Sequence, residues 1–246
     1  MIEVLTDAYM THKDFLELWS EEKIVIHILM TSLVCFFLEH HEAWVGEVDG
    51  TIQGVALYVP PGRDFMRKGD HEIVFGPALS MIGKRRQTFI DRELMPTTSA
   101  RVESRFPGGA REWCYLAMFG VDPMWQGKGL GSRIIQHKNK QLKGTPMCVS
   151  TQSSRTVNFF LSNGFDVRIE HKFELAWGPT WFEWFMTNPG SAETRAAPAP
   201  ASVSPIQPKK QLPAARPQAK GCNGAKVNAA VAAVSPSRIH AAGAVH

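Results

Sequence analysis

The stretch Trp113-Cys-Tyr-Leu-Ala-Met-Phe-Gly-Val121, followed by Asp122-Pro123 and then by Gln126-Gly-Lys-Gly-Leu-Gly131, decides the fold. Its first nine residues are apolar or aromatic apart from one glycine, a length and composition that predict a buried strand. Asp122-Pro123 stops the strand, because proline has no N–H to give to a ladder. A helix is predicted to follow from about Leu130 to Leu142. The glycines between strand and helix remove side chains that would block a ligand. The unpaired amides at the start of the helix point outward with a partial positive charge, and together these features suit a pyrophosphate.

Three phosphate loops compete for this pattern. A Walker A loop needs Gly-Lys followed directly by Ser or Thr, whereas Lys128 is followed by Gly129 and Ser132 falls too late. A dinucleotide fingerprint needs Gly-x-Gly-x-x-Gly after the first strand of a parallel unit, and the spacing here is Gly-x-Gly-x-Gly after a late strand. The remaining pattern, Gln126-x-x-Gly129-x-Gly131 after a strand ending in Val121-Asp-Pro123, resembles the coenzyme A loop of the GNAT superfamily of N-acetyltransferases. Further matches follow in the superfamily's order, over roughly residues 43 to 186. Leu116 to Ile135 is similar to its fourth strand, loop and third helix, and Asn158-Phe-Phe-Leu-Ser-Asn-Gly-Phe165 to its later helix and Gly-Phe turn. Val55-Ala-Leu-Tyr-Val-Pro-Pro-Gly62 resembles a hairpin end of the puromycin-acetyltransferase-like group.

This resemblance implies an α+β fold: a mixed, mostly antiparallel central sheet flanked by helices and splayed between its fourth and fifth strands, with acetyl-CoA as co-substrate. It assigns Phe119, Gly120 and Val121 to backbone contacts with the pantetheine arm. Gly127, Gly129, Leu130, Gly131 and Ser132 would give amides to the pyrophosphate, and Gln126 and Lys128 would form the polar shoulders of the loop. Asn158 would reach the pantetheine amide or the thiol end, or else face solvent.

Acyl transfer to an amine requires the loss of a proton from the amine, stabilisation of an oxyanion and delivery of a proton to the leaving thiolate. Many members of the superfamily use a tyrosine in a Tyr-x-x-x-Gly-Phe arrangement as the acid. Aligned on Gly164-Phe165, that position is Phe160, which has no proton to give. Ser150, Ser153 and Tyr115 are the alternative donors, beside water. Glu112 at the start of the strand is the leading candidate for the base, with Glu170 and His171 as second choices. The expected reaction moves an acetyl group to the primary amine of a small molecule. Acetylation of protein lysines or N-termini, or acyl-CoA sensing with little catalysis, are the alternatives. The first two helices, residues 62 to 110 and the last two strands would shape the acceptor site, with Trp177, Trp181, Phe182 and Trp184 near its mouth and about half of them in the core.

The rest of the chain sets the setting. With 44% apolar residues, 246 residues suffice for one packed domain. We expect that domain at 1–189 and a disordered, basic tail at 190–246. The tail holds 16 Ala, 7 Pro, seven Lys or Arg and a single acid, too little apolar bulk to offset the entropy of ordering. Within it, Ala225 to Val234 would form at most a transient helix. Cys35, Cys114, Cys148 and Cys222 show no paired spacing and the N-terminus no signal pattern, so a reducing cytoplasm is expected. Ile24 to Leu38 reads as a buried helix too short for a bilayer, so no membrane partner is expected. The histidines show no metal-ligand spacing, so no metal is expected either. Nucleic acid is disfavoured as a partner, and the chain would be a monomer or homodimer.

Locally, residues 3–20 read as a helix and Ser20-Glu-Glu-Lys as the cap of a second one reaching His40. Asp49-Gly50 joins the strands of a hairpin at 43–59. Residues 70–105 read as one or two helices broken by Pro96 and closed by Pro107-Gly108-Gly109, with Lys84-Arg85-Arg86 on a solvated face. Unlike most superfamily members, the chain starts in its first helix, so the usual first strand is either very short, within Ile2 to Leu5, or missing. Its absence would leave a sheet edge exposed.

Overall fold

The computed structural model describes residues 1–67, 69–106, 111–175, 177–178 and 180–190, and the backbone of 229–234. The helices are α1 (Ile2–Met10), α2 (Lys13–Leu18), α3 (Lys23–His40), α4 (Asp70–Leu79), α5 (Lys84–Phe89), α6 (Met95–Arg105), α7 (Leu130–Leu142) and α8 (Ser154–Ser162). The strands are β1 (Glu42–Val48), β2 (Thr51–Val59), β3 (Cys114–Val121), β4 (Met147–Thr151), β5 (Asp166–Phe173), β6 (Trp181–Asn188) and β7 (Ala229–Val234). They form one sheet in the order β5-β6-β4-β3-β2-β1-β7, in which β3 and β4 are the parallel pair. This is the mixed, mostly antiparallel sheet flanked by helices that the sequence predicted.

The β1–β2 hairpin forms as read. Asp49 and Gly50 both have positive φ, 50° and 74°, as a type I′ turn requires. One core lies between the sheet and α1, α3 and the α4–α6 segment, and includes Leu5, Ile26, Met30, Phe37, Val55 and Leu57. A second lies under α7 and α8 on the opposite face, around Leu130, Ile134, Phe160, Phe165 and Met186.

Several local expectations are corrected. The predicted first helix is two, because Thr11 and His12 interrupt it between α1 and α2. Glu22, not Ser20, is the N-cap of α3, and the Ser20 hydroxyl instead accepts from the Glu22 backbone N–H at 3.1 Å. α3 is 18 residues long and apolar enough to cross a membrane by length and composition, so the sequence estimate of its length was too small. Eight of its residues are buried in the core. Pro96 does not break the chain: α5 runs through a π-helical turn, Ile90–Leu94, into α6, where Pro96 sits in the first turn and its missing N–H costs least. The break predicted at 107–109 lies outside the described residues.

Among the described residues Ile2 to Leu5 are helical, as part of α1, and form no strand. The outer edge of β1 is instead occupied by β7, antiparallel, from Ala43 opposite Val234 to Val48 opposite Ala229. Within the tail region the segment 229–234 is therefore extended and not a transient helix. An edge lined with unpaired N–H and C=O groups gives an alanine- and valine-rich segment a ladder that it lacks in isolation. The remainder of the expected disordered tail, beyond Gly190, lies outside the described residues.

Candidate active site

Strand β3 carries the site because its two edges are treated differently. On one side it pairs with β2 along most of its length, Tyr115 opposite Val59 through Val121 opposite Gly54. On the other it meets β4 only at Cys114, Tyr115 and Leu116, opposite Met147, Cys148 and Val149. Beyond Leu116 the strands diverge, and the β3 backbone from Ala117 to Val121 faces an opening. Alternation along an antiparallel strand places the backbone groups of Phe119 and Val121 on the same side. Both are used on the open side: the Phe119 N–H donates to the Tyr9 hydroxyl, and the Val121 carbonyl accepts from Gln126 Nε2 at 3.0 Å. Burial, followed by that bond acting in the opposite sense, pushes the Tyr9 phenol up to about 12. A ligand arm pairing with Phe119 would take the place of a neutral hydroxyl.

The loop to α7 follows. Asp122 caps a short 3-10 turn, Pro123–Trp125, by accepting from the Met124 N–H at 2.8 Å. Gly127 and Gly129 have φ of 75° and 79°, and a Cβ added at either would meet nothing within 4 Å. The space above both glycines is open, and Gly129 is the N-cap of α7, where no side chain satisfies the first amides. A pyrophosphate therefore fits on steric and electrostatic grounds. Gln126 is locked in place, its Oε1 accepting from Arg155 Nη2 at 3.0 Å, and Lys128 lies over the Trp125 ring at 4.4 Å. Leu130 is buried, and Ser132 is partly exposed in the first turn of α7.

Two glycines of this region have packing duties. A Cβ at Gly120 would lie 3.0 Å from Ala8 Cβ and from Leu5 Cδ2, so Gly120 lets α1 approach β3. One at Gly131 would lie 3.1 Å from Phe119 Cζ and 3.3 Å from the Phe159 ring. Phe160 is buried in the same aromatic group, with ring centroids 5.1 Å from both Phe159 and Phe165. Asn158 is exposed on α8.

On the α1 side of the sheet the opening leads into a cavity of about 1010 Å³. Tyr115, Ala117 and Met118 of β3, Ser150 and Gln152 at β4, and Trp181, Glu183 and Phe185 of β6 line it. Helices α1, α2, α4 and α6 add Tyr9, Phe15, Phe75 and Thr98, so the wall is largely apolar, with Arg63, Asp64, Arg67 and Arg111 also on it. Two of the predicted proton donors meet here: Ser150 donates a hydrogen bond to the Tyr115 phenol. Burial first, then the neighbouring Cys148, Glu183 and Tyr9, pushes that phenol far above its ordinary value, which keeps it protonated.

Other predicted residues lie elsewhere. Glu112 is exposed in the turn before β3 and is not part of the cavity wall. Ser153 caps α8, and its hydroxyl accepts from the Thr156 N–H. Glu170 is exposed on β5, and His171 is partly exposed there, its pKa lowered by desolvation first and by Arg101 second. Of the mouth aromatics, Trp181 and Trp184 are buried, and Trp177 and Phe182 are partly exposed.

Sequence reading missed Glu183. Strand alternation sends Trp181, Glu183 and Phe185 to the cavity and Trp184 and Met186 to the opposite core. The acid is thus 9% exposed among apolar groups, with Thr98 Oγ1 donating to its Oε2 at 2.5 Å. Burial pushes its carboxyl up to about 7, against smaller opposing effects from Thr98 and Arg101. The signal was present as a single acid at an inward phase of an otherwise apolar strand. No cluster of three or more potential metal ligands occurs among the described residues.

Comparison with known proteins agrees with this geometry. Residues 97–167, from α6 into β5, match the family model described as an acetyltransferase (GNAT) domain. A putative arylalkylamine N-acetyltransferase of the yellow fever mosquito Aedes aegypti superposes with a TM-score of 0.54 at 12% identity, over 77% of this chain and 82% of that one. The protein described as histone acetyltransferase HPA2 and related acetyltransferase from Corynebacterium glutamicum gives 0.49 at 16% identity, over 78% and 91%. A polyamine N-acetyltransferase of Drosophila melanogaster gives 0.48 at 16%, over 76% and 93%. Curated protein sequences give no match. The fold is that of the GNAT acetyltransferases, and the matched stretch contains residues 126–131.

Proposed function

We propose that the protein is an acetyl-CoA-dependent N-acetyltransferase whose acceptor is the primary amine of a small molecule. The observation that carries this reading is the end of the β3–β4 pairing at Leu116, which leaves the later part of β3 unpaired with β4 between the start of α7 and the cavity that Ala117 and Met118 line. Acetyl-CoA supplies the acyl group. Amides at Gly127, Gly129, Leu130, Gly131 and Ser132 hold its pyrophosphate, with Gln126 and Lys128 at the shoulders. The β3 backbone at Phe119 and Val121 orients the pantetheine arm, with Gly120 keeping α1 close against it. Asn158 on α8 remains at the solvent side of that path.

Phe160 contributes no proton, and its place in an aromatic cluster explains why no donor is needed there for packing. The proton for the leaving thiolate is assigned to Tyr115 and Ser150, whose hydroxyls meet on the cavity wall. Glu112 would act only through solvent at the rim. A concave, largely apolar cavity suits a small acceptor with an apolar body. The Val55–Gly62 hairpin end supports a place near the puromycin-acetyltransferase-like group, and the cytoplasm is the proposed compartment.

The test is release of coenzyme A thiol from acetyl-CoA with a panel of small primary amines, lysine peptides and N-terminal peptides. Turnover with small amines at least about tenfold above the peptides in kcat/KM is expected, a difference of about 1.4 kcal/mol in transition-state binding. Preference for peptides would replace the small-molecule reading with a protein acetyltransferase. Tight acetyl-CoA binding without thiol release from any acceptor would leave a sensor.

A further inference from the structure

We infer that Glu183 is the group that receives the acceptor, binding its ammonium end and taking its proton, and that the cavity thereby selects a compact primary amine with an apolar carbon body. This rests on the transferase reading above. Glu183 projects from β6 into the same cavity that the β3–β4 opening enters. Thr98 holds one of its oxygens, and among the described residues the carboxylate has no ion pair and no second hydrogen-bond donor. A carboxylate at 9% exposure without a cationic partner gives the fold nothing that an apolar side chain would not give better. An ammonium entering the cavity would supply the missing partner.

The groups around it fit the role. Arg101 of α6 favours the anion from beyond ion-pair distance, Tyr115 of β3 carries a neutral phenol, and desolvation, then Arg101, lowers the pKa of His171 on β5. Glu103 of α6, His71 of α4, and Arg63, Asp64, Arg67 and Arg111 of the loops line the same cavity. Burial brings the Glu183 carboxyl to about 7, where a proton acceptor works best at neutral pH. Phe15, Trp19, Phe75, Leu94, Trp181 and Phe185 provide the apolar wall for the body of the amine.

In the proposed step Glu183 takes one proton from the ammonium, leaving a neutral amine. The nitrogen lone pair forms the C–N bond to the acetyl carbonyl carbon, and the C–S bond breaks with its electron pair on sulfur. The second nitrogen proton ends on the thiolate, giving the amide and the coenzyme A thiol, and Glu183 returns its proton to water.

The probe is 2-phenylethylamine. Calorimetric titration into the coenzyme A-saturated protein measures binding without turnover, and thiol release with acetyl-CoA measures transfer. In the wild type, amine affinity is expected to fall about tenfold per pH unit below about 7, because the carboxylate becomes neutral while the amine stays cationic. E183Q should weaken binding at least tenfold at pH 7.5 and lower kcat/KM about 100-fold, with the inflection near 7 gone. Spermidine, with no apolar body, should bind at least tenfold more weakly than 2-phenylethylamine.

Equal amine affinity and an equal pH profile in wild type and E183Q would overturn the assignment, as would wild-type affinity independent of pH between 5.5 and 7.5. Absence of binding by the amine would overturn it as well, and tighter binding of spermidine would overturn the acceptor class. Glu183-dependent amine binding without any thiol release would uphold the site and overturn the transferase reading instead. The wild-type pH dependence decides the matter even if E183Q fails to fold.

Discussion

Gly129→Val is expected to lower the affinity for acetyl-CoA, the proposed co-substrate, by at least about 100-fold. Gly129 sits at φ 79° with the first turn of α7 directly behind it. A β-branched residue there either bears the strain of a left-handed backbone, of the order of 1–2 kcal/mol, or rotates the peptide away. Rotation would turn amides of the first turn off the pyrophosphate. Each hydrogen bond to a charged group contributes about 1.5–3 kcal/mol, so losing two already exceeds a factor of 100. The open space at this glycine means that the added side chain meets no protein atom, only the volume a ligand would use. Titration calorimetry of wild type and G129V measures the effect, with a thermal melt to confirm that G129V is folded. Unchanged affinity would remove the loop from the cofactor site.

A second large effect is expected far from the cavity. Lys138 lies in α7 at 2% exposure, with Nζ donating to Glu42 Oε2 at 2.5 Å and to Gln141 Oε1 at 3.0 Å. The ammonium also faces the rings of Trp44 and Tyr58, at 4.9 and 5.0 Å from their centroids. Trp44 Nε1 donates to the same carboxylate oxygen. Glu42→Ala would strand a buried cation, which costs about 3–5 kcal/mol in comparable pairs. The remaining amide and two ring faces offset part of this, so a loss of about 3 kcal/mol is expected in denaturant unfolding. Lys138→Met, which removes the charge and leaves Glu42 able to reach solvent, should cost about 1 kcal/mol or less. Equal and small losses in both variants would show that the pair is solvated and of little consequence.

The parts of the fold that were legible in sequence are those fixed by local chemistry. Asp49-Gly50 determines a hairpin because only certain residues accept its dihedrals, and the glycines at 127 and 129 announce a loop for the same reason. The π-helical turn ahead of Pro96 was not legible, since a proline ordinarily marks a helix break and nothing local signals a helix that runs past it. β7 was hidden for another reason. Ala229–Val234 pairs with β1 across more than 180 residues, and no local pattern in six alanines and valines specifies that partner.

The candidate site divides along the same line. Of the three hydroxyls named as alternative donors, Tyr115 and Ser150 line the cavity and Ser153 does not. Glu112 was favoured for lying at the end of the key strand, but nearness in sequence did not bring it to the cavity. Glu183 could have been found from phase alone, because Trp181, Glu183 and Phe185 share one face of β6. Tyr9 could not, since its hydroxyl reaches Met118 and Phe119 across about 110 residues and only the tertiary packing of α1 on β3 brings them together.

Hydrogen exchange at single-residue resolution, with and without saturating acetyl-CoA, tests the central claim most directly. Slower exchange is expected at the Phe119 and Val121 amides, where the proposed ligand arm would pair with the edge of β3 that β4 leaves free, and at Gly127 through Ser132, where the proposed pyrophosphate site lies. Acetyl-CoA bound at saturation with exchange at both segments unchanged would contradict the account.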